Sequence, residues 1–284
     1  MQMLIISSLI IINSLIIFPK LSLAFNTKGA KFCNFPKPTS TEVRTETLKL
    51  SKDKDFGNKR IIFNGKKGTC RYSNNPQWEQ AIILEDGVTI SNLILGESPI
   101  GTASDIMCKG SCTLRNVFIE NTCWRAFTFI GPSDVFIPLG KKDKNKYVFT
   151  VEGGGALDGI DKIMCQGAPG NTIVRNFCAV NNALGIHSAG RSLVQYSRHI
   201  TIENSKFMGP MLEISGGNQN YHDKVTLRNI QIYGNNNPAT KIKFVCSEYK
   251  GENPVDNWQC SFRPGEAGTC NTCKYPASAV KVIN

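Results

Sequence analysis

Eleven cysteines carry the most readily assigned chemistry in this chain of 284 residues. They are Cys33, Cys70, Cys108, Cys112, Cys123, Cys165, Cys178, Cys246, Cys260, Cys270 and Cys273. Cys270-x-x-Cys273, with Cys246 and Cys260 upstream, has the spacing of a zinc site, because four thiolates can close a tetrahedron around the ion. The same four residues would pair as disulfides in an oxidising compartment. The N-terminus favours disulfides. Met3–Phe18 is almost wholly Ile, Leu, Ser and Met, and Ser22-Leu23-Ala24 is a small-x-small cleavage site. Residues 1–24 are therefore expected to be a signal peptide and 25–284 the mature, secreted chain. The run lacks a positive start, so a retained anchor is the alternative; it is short for a span and stops at Pro19-Lys20. The Cys-rich segment 246–284 is then expected to be stapled by bridges. The odd count leaves one thiol free or bonded to another chain. Spacing alone does not fix the pairing.

The net charge is +11. Basic clusters stand at Lys59-Arg60, Lys66-Lys67 and Lys141–Lys146. A basic secreted protein suits an acidic partner such as polyuronate, sulfated glycan or anionic membrane, and secretion makes nucleic acid a poor candidate. The plainer reading of these lysines is that they solubilise loops.

The elements that must position any site are legible from a repeated phrase, Thr-(Ile/Leu)-x-Asn followed by alternating apolar residues. It occurs at Val88–Leu95, Cys112–Ile119, His199–Met208 and Lys224–Tyr233, with a longer variant at Asn171–Val180. The asparagines Asn92, Asn116, Asn176, Asn204 and Asn229 are separated by 24, 60, 28 and 25 residues. Alternation puts Ile, Leu, Val and Phe on one face of an extended strand, and one such strand cannot bury that face alone. Stacked copies can. A strand returning at this interval predicts a parallel β-helix with an internal asparagine stack at one turn. Five independent strands of an antiparallel protein are the alternative. The gap of 60 leaves room for one more coil, with Lys146–Gly153 as its strand and Gly131–Lys146 as a loop leaving the stack.

Several stretches resemble polysaccharide lyase family 3, the secreted pectate lyases. Ile82–Gly96 (IILEDGVTISNLILG) is similar to the family's ELxDGxTLxNVIIG. Cys108–Cys123 (CKGSCTLRNVFIENTC) resembles its HCKGSCTLxNVWWEDVC. Gly153–Lys162 (GGGALDGIDK) and Gly216–Asp223 (GGNQNYHD) resemble its GGGAxxAxDK and GxNxNYGD. The likeness runs from about Phe32 to Cys260. It implies an all-β, single-stranded right-handed parallel β-helix, a second route to the fold given by the repeat.

The resemblance also implies a reaction, β-elimination on polygalacturonate. A base removes the proton on C5, alpha to the uronate carboxylate, and a hard cation such as Ca²⁺ stabilises the charge that develops. In the family the base is an arginine, and lysines hold the substrate carboxylates. Position by position, this chain keeps little of that set. The family's Glu-Asp pair falls on Trp124 and Arg125. An aspartate of its DGIHC run falls on Ser104, with Asp105 one place along and expected to face the other way. The base arginine falls on His187, and the lysine three residues earlier on Leu184. Asp161-Lys162 survives. Calcium, expected for the family, is therefore poorly supported here: an indole and a guanidinium replace two carboxylates. Asp105 and Glu120 are the possible remnants of a metal site.

Two functions follow. In the first, Arg125 neutralises a uronate carboxylate without metal, Lys162 and Trp124 help to bind substrate, and His187 is the base. In the second, the groove binds acidic polysaccharide without cleaving it, as a wall-binding module or secreted effector. The plain alternatives are a solvated Lys162, an ordinary loop His187, and a surface cation–π pair of Trp124 with Arg125. A monomer is expected, with no membrane contact once the leader is removed.

Overall fold

The computed structural model describes residues 25–70, 79–131, 146–190, 194–252 and 255–284. The expected signal peptide and residues 141–145 of the basic loop lie outside the described residues. What is described is a right-handed parallel β-helix of three stacked sheets, the hand that parallel crossovers take.

Each coil contributes one segment to each sheet. The first sheet stacks Val88–Gly96 (its first half), Cys112–Ile119 (its first half), Tyr147–Glu152, Gly170–Arg175, Arg198–Glu203 and Lys224–Arg228. A turn at the repeated asparagine leads to the second sheet, which includes residues 117–119, 155–157 and 178–180, Lys206–Met208 and Ile230–Tyr233. The third sheet holds Glu79–Glu85, Ser104–Lys109, Phe127–Ile130, residues 162–166 and 184–188, Met211–Asn218 and Ile242–Glu252. The last of these turns back as an antiparallel hairpin with Val255–Phe262.

The repeat holds together for two physical reasons. The inward residues align as ladders: Ile90, Leu114, Val151, Val174, Ile202 and Leu227 stand in register on successive rungs, all buried. Each such side chain contributes about 1.5–3 kcal/mol by leaving water. The five repeat asparagines all take left-handed backbone, with φ from 49° to 55°. Asparagine tolerates this conformation far better than a branched residue. Their amides also join across rungs, Asn116 Nδ2 to Asn92 Oδ1 at 3.1 Å and Asn229 Nδ2 to Asn204 Oδ1 at 2.9 Å. The stack was expected inside the coil; it lies on the outside, most of its members exposed. The turn it makes is convex, so the short side chain is carried outwards while the apolar neighbours go in.

The gap of 60 holds the missing coil. Tyr147–Glu152 is its strand, and Arg115 pairs with Glu152, which sets Gly153 on the rung after Asn116. Gly153 has φ +69°, and a Cβ there would collide with Asn116 Oδ1. Glycine replaces asparagine where the next rung comes too close for any side chain.

Ten cysteines form Cys33–Cys178, Cys70–Cys123, Cys108–Cys112, Cys246–Cys273 and Cys260–Cys270. The Cys270-x-x-Cys273 pair is thus split between two bridges and cannot be a zinc half-site. Cys165 is the free thiol, and it is buried. A short helix, Thr27–Phe32, is tied by Cys33 against Leu157, Cys178 and Val180 of the second sheet.

Candidate functional site

The third sheet carries the site on its outer face. Ile106, Phe127, Met164, Ile186 and Cys246 point into the core. By alternation their neighbours point out. In register these are Met107, Thr128, Cys165, His187, Gly216 and Ser247, one per rung. Gly216 is required beside His187, since a Cβ there would come within 2.8 Å of the imidazole.

Arg125 reaches this face through the disulfide next to it. Cys123, bonded to Cys70, pairs with Gly159 of the neighbouring coil, so Arg125 falls beside Asp161 two residues further on. The Arg125 guanidinium Nε lies 3.5 Å from Asp161 Oδ2. On its other side Lys162 Nζ donates to Asp161 Oδ1 at 3.0 Å. Burial alone would raise the Asp161 carboxyl; Lys162 and Arg125 outweigh it and hold the group below the usual carboxylate range. Lys162 is the more open cation, its side chain 26% exposed against 10% for Arg125.

His187 is 5% exposed. Burial, helped by the Lys162 charge and opposed by Asp161, lowers it from 6.5 to about 3. It is therefore a neutral imidazole at any ordinary pH, not the near-neutral switch that its type suggests. Its Nε2 is buried without a hydrogen-bond partner and stands 3.4 Å from Glu213 Oε1. Burial pushes the Glu213 carboxyl up to about 7, against the pull of Ser247, Tyr249 and Lys162. The Tyr249 hydroxyl donates to Glu213 Oε1.

Of the residues named from sequence, Arg125, Lys162 and His187 come together around Asp161. Trp124 is half-buried next to Arg125, with its indole N–H buried and unpartnered. Arg125 is 8% exposed and paired with Asp161, which corrects the picture of a surface cation–π pair. Of the two possible metal remnants, Glu120 lies apart from this cluster and Asp105 on the same face. Glu120 is gripped by Arg60, whose Nε donates to both carboxylate oxygens at 2.8 and 2.9 Å, and it faces the N-terminal helix rather than the site. Asp105 was expected to face away; it shares the outer face because Ile106 next to it fills the core, and it accepts from Thr128 Oγ1 at 2.5 Å.

The donor set does not fit calcium. A hard dication needs several free oxygens; here a guanidinium and an ammonium occupy the oxygens of Asp161. Among the described residues no trio of carboxylate, imidazole or thiol groups gathers at this place. The trio that does gather, Glu248 with Cys260 and Cys270, is a disulfide beside a carboxylate.

Sequence reading missed Glu213 and Tyr249. Glu213 was visible only as a lone acid in the apolar stretch Met211–Ile214, and register places it two rungs from Lys162 through Leu184. Nothing in the sequence marked Tyr249.

Paired cations and an acid–imidazole pair thus lie on one outer face of a three-sheet parallel β-helix. The family model for pectate lyase matches residues 33–254, and the chain belongs to the pectate lyase family. It is 28% identical over 259 residues to a probable pectate lyase D of Emericella nidulans, spanning 89% of this chain and 87% of that one. The catalytic domain of pectate lyase PelI from Erwinia chrysanthemi superposes with a TM-score of 0.61 at 25% identity, over 87% of this chain and 98% of that one. The same enzyme solved with tetragalacturonic acid gives 0.61 at 24% identity, over 85% and 70% of the two chains, and bears on the fold alone. Among the described residues no helix is long and apolar enough to cross a membrane.

Proposed function

We propose that the protein is a secreted lyase that cleaves polygalacturonate by β-elimination and does so without calcium. The observation that carries this is the convergence of Arg125, Lys162 and the neutral His187 around Asp161. Lys162 and Arg125 are the cations available to a uronate carboxylate, which would exchange for Asp161 as their partner. Neutralising that carboxylate acidifies the C5 proton, the part a metal plays elsewhere. His187 Nε2 takes the proton. The C–H electron pair becomes the C4–C5 double bond, the C4–O bond breaks, and the leaving oxygen takes a proton from water. Lowered to about 3, the imidazole is neutral at rest but a weak base, so proton transfer to it depends on the Glu213 carboxylate beside it to stabilise the imidazolium as it forms. Trp124 borders the cation pair and would pack against the sugar.

The test is product formation from polygalacturonate, read at the ultraviolet absorbance of the unsaturated uronate. Wild type is expected to produce it, and His187→Ala to lose about 10²–10⁴ of the rate. Retention on polygalacturonate without any product would move the protein to the binding class.

A further inference from the structure

The C-terminal hairpin, Ile242–Glu252 with Val255–Phe262, carries three aromatic rings that the chemistry above does not use. Its register shifts at Glu248/Tyr249: Glu248 pairs with Cys260, but Tyr249 pairs with Trp258, so Gln259 is skipped. Such a bulge re-aims side chains and is common beside active sites. Here it makes Trp258 the direct cross-strand partner of Tyr249. Their rings stack, 6.0 Å between centroids and 24° between planes. Phe244 closes the group edge-on to Trp258 at 5.2 Å and 82°.

Trp258 nonetheless remains 46% exposed, the one tryptophan among the exposed large apolar residues described. Its indole N–H is taken by Ser261, so the edge is pinned and the ring face is what remains on offer. The hairpin beneath is held by Cys246–Cys273 and Cys260–Cys270. An exposed, immobilised indole costs little entropy when something lies on it. It is also continuous with the site: Tyr249, behind it, donates to Glu213, and its ring lies 6.4 Å from His187.

We propose that Trp258, backed by Tyr249 and Phe244, is a stacking subsite for a pyranose ring of the polyuronate chain, beyond the ring that reacts. The ligand class follows from the surface. The carbon-bound hydrogens on a pyranose face are apolar and slightly positive, matching the electron-rich face of an indole. The cations at the centre hold carboxylates, while the aromatic end holds the ring itself and is indifferent to charge. This assignment rests on the polyuronate reading of the central cluster.

A subsite remote from the reacting bond supplies binding that is equal in ground and transition states, so its loss raises KM and spares kcat. Trp258→Ala is expected to raise KM for polygalacturonate about tenfold with kcat nearly unchanged, and Trp258→Phe to recover most of the loss. A second readout needs no turnover. The chain has three tryptophans, and a hexagalacturonate titration should change the fluorescence of wild type more than that of Trp258→Phe, in which only the response of Trp124 at the cation pair remains. Unchanged KM in Trp258→Ala, or an unaltered fluorescence response in Trp258→Phe, overturns the subsite while the central reading stands. Wild type that neither binds nor cleaves any polygalacturonate overturns both.

Discussion

His187 is the residue on which the proposed chemistry turns, and its environment decides what it can do. Its type suggests a group titrating near neutrality, but burial beside Lys162 lowers it to about 3. The group that titrates near neutrality is Glu213, pushed by burial to about 7. If Glu213 must be ionised to support the imidazolium, activity rises as pH rises through about 7. It falls as pH drops below that value, because a protonated carboxyl offers no charge to His187. Glu213→Gln is expected to abolish that rise and to leave a rate about 10–100 times lower above neutrality, measured as kcat/KM against pH. A rise through neutrality that survives in Glu213→Gln would assign it to another group. Arg125 and Lys162 were nameable from sequence because a cysteine inside a specific run and a Gly-rich stretch fixed their positions, whereas His187 was named from the resemblance without such an anchor. Glu213 had no such anchor: its role comes from a register two rungs away, which no local pattern records.

At the scale of the element, the asparagine turn is the working unit. The strands were legible from alternation and from one polar residue returning at coil length. The missing coil was harder to see because Gly153 stands where the repeat has Asn. The exposed position of the ladder was illegible for a different reason: an amide stack satisfies its hydrogen bonds equally well inside or outside, and only the convexity of the turn decides. Asn116 has φ +52° and donates to Asn92. Asn116→Ala keeps the strained φ and loses the bond, so it should cost about 1–2 kcal/mol in a denaturant melt. Asn116→Gly loses the bond but relieves the strain and should cost clearly less. Equal losses would mean that the amide contact, not the backbone, sets the turn. A charge ladder runs beside it on the first sheet, where Arg115, Glu152, Arg175, Glu203 and Arg228 alternate in sign rung by rung. Such alternation disfavours a slip by one coil, which would oppose like charges.

For the whole molecule, coil and site answer to different constraints. The stacked core needs only apolar residues at a fixed period, and the chain keeps them throughout residues 33–254 that match the family. The site needs particular charges at particular rungs, and there the resemblance implies cations where the family has carboxylates. Trp124 and Arg125 sit directly after a bridged cysteine, at the place where the resemblance to the family's motif implies a pair of carboxylates. We take residues 25–284 as one domain, with the C-terminal bridges fastening the hairpin to the last coils. The net charge of +11 spreads beyond the site and suits a polyanion.

If cations of the chain itself do the work of a bound metal, cleavage must proceed without one. The most direct test is the ultraviolet product assay on polygalacturonate, run from about pH 5 to about pH 10 with a calcium chelator and with added Ca²⁺. The expected result is product formation that is undiminished by the chelator and lost in Arg125→Ala. Product that appears only with added Ca²⁺, or no product under any of these conditions, would contradict it.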